Sequence, residues 1–148
     1  MGQIAESPRG KALRAAADKV REAIEGSRGL DATIAEALGN MSFIEALEEA
    51  PRYSSSLDVA RSLVPPDWFW RCGRTVLYDG WAFISKTHGD HCQPEEDEFG
   101  ASKDYWRGKW TPELALCNAS LRARAWLADV HYDREQRRAA HGAKGEGV

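Results

Sequence analysis

Apolar residues recur with helical spacing at both ends of the chain and with a spacing of two in between. Leu13, Ala16, Ala17, Val20 and Ile24 follow an i, i+3, i+4, i+7 stripe, with Arg14, Lys19, Arg21 and Glu22 over the remaining faces. Gly26 and Gly29 bracket the end of that helix. Asp31 then reads as the N-cap of a short second helix carrying Ile34 and Leu38, which Gly39-Asn40 stops. Ser42, with Glu45 in capping-box spacing, opens a third helix that ends before Pro51. Ser55 or Ser56 caps a fourth, with Leu57, Ala60, Leu63 and Val64 facing inward, and Pro65-Pro66 ends it because neither proline can donate to a helix ladder.

The period changes to two from Trp68. Trp68, Trp70 and Cys72 alternate with Phe69, Arg71 and Gly73, and Trp81 and Phe83 alternate with Ala82 and Ile84. Asp79-Gly80 between them is a hairpin signal, with Gly73-Arg74 as a competing turn. Residues 86–103 are polar and read as a long loop, after which Tyr105 and Trp106 supply a last strand. Thr111-Pro112-Glu113 opens a final helix with a cap, a proline in first position and an acid in the first turn. Leu114, Cys117, Leu121, Ala125 and Ala128 continue its stripe. The expected fold is α+β: an antiparallel sheet of three to four strands packed between helices, an αβα sandwich. Residues 1–28 read as a helical extension, 29–131 as the domain, and 132–148 as a fraying helix and disordered tail.

Composition adds constraints. A chain of 148 residues, 43% hydrophobic and 29% charged, suits one domain. Net charge is −3, so no whole-protein field draws it to nucleic acid or to an anionic membrane. No apolar run approaches the roughly 20 residues of a membrane span, and Met1 to Arg9 lacks the apolar core of a signal peptide. Three cysteines, Cys72, Cys92 and Cys117, read as reduced thiols, so a cytoplasmic location is expected.

The candidate chemistry is thin. His88, His91 and Cys92, with Cys72 on an earlier strand, have the right donor types for zinc. No Cys-x-x-Cys pair exists and His91 and Cys92 are adjacent, so no metal and no cofactor is expected. Cys92 with a neighbouring histidine lacks the orienting residues of a nucleophile, and no phosphate loop or nucleophile elbow is present; the chain is read as a binding protein, not an enzyme. Cys117, on an apolar stripe, is core.

The acidic run Glu95, Glu96, Asp97 and Glu98, together with Tyr105, Trp106 and Trp110, forms the candidate partner surface. Trp81, His88 and His91 could wall a ligand pocket. Arg122, Arg124, Arg134, Arg137 and Arg138, interleaved with Trp126 and Tyr132, are candidate nucleic-acid contacts, and a strand edge near Tyr105 could pair in a homodimer.

Two blocks carry a family resemblance. Tyr53-Ser54-Ser55-Ser56-Leu57-Asp58 through Leu63-Val64-Pro65, followed by Trp68 and Trp70, is one. Thr111-Pro112-Glu113-Leu114-Ala115-Leu116-Cys117 through Leu121-Arg122-Ala123-Arg124-Ala125 is the other. Over roughly residues 30–126 the chain resembles the phage ABA-sandwich domain, small phage and prophage proteins with helix layers on either side of a sheet. The resemblance implies a phage or prophage context and no catalytic residue. The function expected from it is an accessory protein that binds a host or phage macromolecule, in its sharpest form an anti-CRISPR-like inhibitor of an antiviral defence complex.

Overall fold

The computed structural model describes residues 4–74, 78–86, 98–104 and 110–146. In chain order its elements are α1 (Pro8–Glu22), α2 (Arg28–Ala37), α3 (Phe43–Glu49), α4 (Leu57–Arg61), β1 (Phe69–Gly73), β2 (Tyr78–Ser85), β3 (Glu98–Asp104) and α5 (Pro112–Glu146).

Side-chain oxygens start each helix. Ser7, Ser27, Ser42 and Ser56 accept from the backbone N–H three residues on, and Thr111 Oγ1 does the same for Leu114 at 3.1 Å. The caps expected at Ser42 and Ser56 are therefore real. Asp31 is not the cap of α2; it lies within the helix's first turn, 1% exposed, because Ser27 takes the capping position and frees the carboxylate for a tertiary role. Gly39 ends that stretch with φ of 78°, a left-handed backbone that favours glycine.

α5 is the spine. The apolar stripe expected on it is buried: Leu114, Cys117, Leu121 and Ala125 are all 0% exposed. α1 lies along α5, with Leu13, Ala16, Ala17 and Val20 sealing the contact. The sequence reads α1 as an extension, yet it belongs to the same core as α5. Asn118 Nδ2 donates to the Ala17 carbonyl at 2.8 Å and Trp110 Nε1 to the Val20 carbonyl at 3.3 Å. α4 also packs on α5, while α2 lies against α1 and α3 against α2.

Asp129 pins α1 to α5. Its Oδ1 accepts from the Ser7 N–H at 2.8 Å and the Ser7 hydroxyl at 2.9 Å, and its Oδ2 pairs with Arg14 at 2.7 Å. Gly10 fits beside it because any Cβ there would meet Asp129 Oδ1 at 2.1 Å. Burial pushes the Asp129 carboxyl up, but the Arg14 and Ser7 hydrogen bonds outweigh it, and the net shift is downward. A carboxyl lowered by folding stabilises the native state above its unfolded pKa, and that contribution is lost as pH falls through the folded value. Asp129→Asn should cost roughly 1.5–3 kcal/mol at neutral pH. It should also flatten the decline in stability below about pH 4. Urea unfolding of both proteins at neutral and acid pH measures each effect.

The strands form one antiparallel sheet in the order β1-β2-β3. Trp70 lies opposite Ile84 and Cys72 opposite Ala82; Phe99 of β3 lies opposite Ile84 from the other side. This face meets α5, and Ala82 and Ile84 are 3% and 0% exposed. Phe69, Arg71 and Gly73 lie opposite Ser85, Phe83 and Trp81 on the second face.

The mixed helix-and-sheet class expected from sequence holds, but the sandwich does not. Among the described residues, α5 packs on one face of the sheet, and α1 to α4 lie with α5 rather than across the second face. Alternation puts apolar residues on both faces, yet α1 to α4 find their apolar partners on α5 and on one another, which leaves Arg71 exposed and Trp81 and Phe83 half-buried on the second face. Asp79-Gly80 is no hairpin turn either. It lies inside β2 at an irregularity between Tyr78 and Trp81, where a Cβ on residue 80 would sit 2.5 Å from the Thr111 carbonyl carbon. The β1–β2 connection begins instead at Arg74, the competing turn.

Candidate functional site

The sequence candidates divide sharply. Glu95, Glu96, Asp97, His88, His91, Cys92, Tyr105 and Trp106 lie outside the described residues. Glu98 begins β3, in register with Ser85. Trp110 is no surface residue: it is 1% exposed and hydrogen-bonded to α1, so it belongs to the core. Cys72 is half-buried in β1, its thiol pushed up by burial and then by Glu113. Cys117 is fully buried, donates to the Tyr53 carbonyl at 3.1 Å, and burial drives its thiol far up, as a core cysteine requires. Among the described residues no three His, Cys, Asp or Glu side chains gather as a metal site.

The aromatic residues separate into an inner and an outer set. Trp68, Phe99 and Trp126 form a cluster under the sheet, with ring centroids 6.2–6.3 Å apart and one edge-on pair. The Arg122 guanidinium sits 5.8 Å from the Phe99 centroid. Arg14, Asp18, Phe99, Arg122 and Trp126 line a cleft of about 340 Å³ beside this cluster. That places the aromatic cleft on the α5 side of the sheet, away from the Trp81 wall expected from sequence.

The outer set is on β1 and the second face. Trp81 lies against Gly73, where a Cβ would be 3.3 Å from the indole. Arg71 lies over the Phe83 ring at 5.1 Å. Phe69 and Trp70 are 44% and 39% exposed, although both sit in a strand. Trp70 is on the α5 side but remains accessible because β1 is the end strand and α5 crosses mainly β2 and β3. Alternation assigns Trp70 to a face of the sheet but not whether a helix reaches that strand.

A second exposed apolar surface is on α3. Phe43, Ile44 and Leu47 are 40%, 80% and 40% exposed, flanked by Glu45, Glu48 and Glu49. α3 buries Ala46 and is held from beneath by Arg28, whose guanidinium donates to the Ala50 and Glu48 carbonyls. The sequence reading did not single out this surface, although Phe43, Ile44 and Leu47 follow one another at i, i+1 and i+4.

The arginines on α5 also separate. Arg124 donates to the Leu63 and Ser62 carbonyls at the end of α4, and burial pulls its pKa down. It is a tether between helices, not a nucleic-acid contact. Arg134, Arg137 and Arg138 are exposed on a helix that continues to Glu146, well past Tyr132.

No protein-family model matches the chain, and no curated protein or solved structure matches it either. Among the described residues no helix is long and apolar enough to cross a membrane.

Proposed function

We propose that this protein acts by non-covalent binding to another protein, docking through the β1 edge of its sheet, and that it is not an enzyme. The observation that carries the reading is the exposure of Phe69 and Trp70 side by side on an end strand. Successive strand residues point to opposite faces, so the pair presents aromatic surface on both sides of one edge. Arg71 adds a guanidinium beside them. Aromatic residues and arginine dominate the energetics of protein interfaces.

The partner in this proposal is a host or phage protein complex met in the bacterial cytoplasm. Its sharpest form is inhibition of an antiviral defence complex of the CRISPR kind; that form rests on the resemblance to the phage ABA-sandwich domain. The test compares tagged wild type with a Phe69→Ala/Trp70→Ala variant in capture from host lysate. Wild type should retain one stoichiometric protein, and the variant should bind it at least roughly 30-fold more weakly, the scale of one interface hot spot. The variant should still unfold cooperatively, at a somewhat lower midpoint because Phe69 and Trp70 are 44% and 39% exposed and each loses some packing. A partner held equally by both proteins sinks the proposal.

The cleft of Phe99, Trp126, Arg14 and Arg122 favours a second reading, a small-molecule binder, because about 340 Å³ with aromatic walls suits a compact planar ligand. A bound small molecule in the native mass spectrum, lost in Trp126→Ala, would support it.

A further inference from the structure

We infer that the projecting end of α5 is a binding site for duplex DNA, separate from the β1 edge and resting on different residues. α5 runs from Pro112 to Glu146, and every residue from Arg134 to Gly142 is exposed. At 100° per residue, His131, Arg134, Arg137, Arg138 and His141 fall within a sector of about 120° along roughly 15 Å of helix. No acidic residue lies inside that sector. Asp133 and Glu135 sit at its two borders and are engaged there, Asp133 with Arg137 at 2.8 Å and Glu135 with His131 at 3.1 Å. Among the described residues Arg134 and Arg138, at the centre, have no acidic partner.

A basic face this narrow on an otherwise acidic protein selects its occupant by charge. The sector has no apolar residue to insert into a bilayer, so a membrane surface would hold it by charge alone, and the vesicle arm of the test below separates that case from DNA. Phosphate is the complementary chemistry, and guanidinium forks bind it in bidentate fashion. The geometry points further to a B-form duplex. An α-helix about 10–12 Å across fits the DNA major groove, roughly 12 Å wide. From Arg134 onward the end of α5 is exposed, while Asp133 just before it accepts from the Ala5 N–H at 3.2 Å, so the N-terminal segment lies beside the start of this face. The acidic α3 surface, with Glu45, Glu48 and Glu49, belongs to a different part of the fold and leaves this face undisturbed.

Binding through phosphates carries a salt signature. With Arg134 and Arg138 each displacing one counterion, the logarithm of affinity should fall against the logarithm of salt with a slope of roughly −1.8. Affinity should therefore drop about 12-fold between roughly 50 and 200 mM salt. The experiment is fluorescence anisotropy of a short mixed-sequence DNA duplex titrated with the full chain, alongside vesicles containing phosphatidylserine. Arg134→Glu/Arg138→Glu should weaken DNA binding by at least tenfold with an unchanged unfolding midpoint, because both positions are exposed. Phe69→Ala/Trp70→Ala should leave it unchanged. Equal DNA affinity in the arginine variant, no DNA binding at low salt, or binding to the vesicles without the DNA would each overturn the assignment.

Discussion

Trp110→Ala should destabilise the protein by about 3–5 kcal/mol, as truncation of a buried indole ordinarily does. Folded domains stand only roughly 5–15 kcal/mol above unfolding, so this is a large share of the total. Trp110 is 1% exposed and directly precedes the turn into α5, where its ring joins the core shared by α1 and α5. Truncation opens a cavity at that junction and removes the indole donor from the Val20 carbonyl. The carbonyl keeps its bond from the Ala23 N–H at 3.2 Å, so the cavity and not an orphaned acceptor carries most of the loss. Trp110→Phe, which keeps most of the volume, should therefore cost well under half as much. Urea unfolding of the three proteins decides it; equal losses for Ala and Phe would mean that the hydrogen bond, not packing, dominates.

Asp31→Ala should be of the same size, roughly 3–5 kcal/mol, for an electrostatic reason. Asp31 is 1% exposed and its Oδ1 accepts from the Ser54 N–H at 2.8 Å and the Ser54 hydroxyl at 2.7 Å. Its Oδ2 pairs with Arg28 at 3.0 Å, and Arg28 in turn holds the end of α3. Alanine strands the buried Ser54 N–H and leaves Arg28 without its counter-charge. Asp31→Asn retains an acceptor for Ser54 and should lose only about 1–3 kcal/mol. If alanine and asparagine cost the same, the Ser54 hydrogen bonds contribute little and the charge carries the site. Loss of this centre should also loosen α3, seen as faster hydrogen exchange from Phe43 to Glu49.

These two residues mark where sequence reading succeeds and where it stops. Ser42, Ser56 and Pro112 act within a few residues of themselves, so their meaning is written locally and each was legible; Pro65-Pro66 does not end α4, which stops at Arg61 with its C-cap at Ser62. Asp31 looked like a cap for the same local reason; its true partner, Ser54, is 23 residues away and leaves no trace in spacing. Trp110 and α1 fail alike, since the bond between Trp110 and Val20 spans 90 residues. Strand β3 was read as loop because Phe99 is the one large apolar residue in Glu98–Asp104, too little for an alternating signal. Asp79-Gly80 misled because glycine there answers to the close approach of Thr111, not to a turn.

The candidate site was less legible still. Periodicity showed that Phe69 and Trp70 belong to a strand, but their exposure depends on β1 being an end strand among the described residues, one that α5 covers less than β2 and β3. The basic residues Arg124, Arg134, Arg137 and Arg138 look alike in sequence. Their separation into a half-buried tether, Arg124, and an exposed set from Arg134 onward follows from where along α5 each one falls.

Hydrogen exchange with and without the captured protein partner tests the β1 edge most directly. The account predicts slowed exchange concentrated in Phe69–Gly73, because a docked partner shields that strand from solvent. Slowed exchange across Phe43–Glu49 with β1 unchanged would contradict it and move the docking surface to the apolar face of α3.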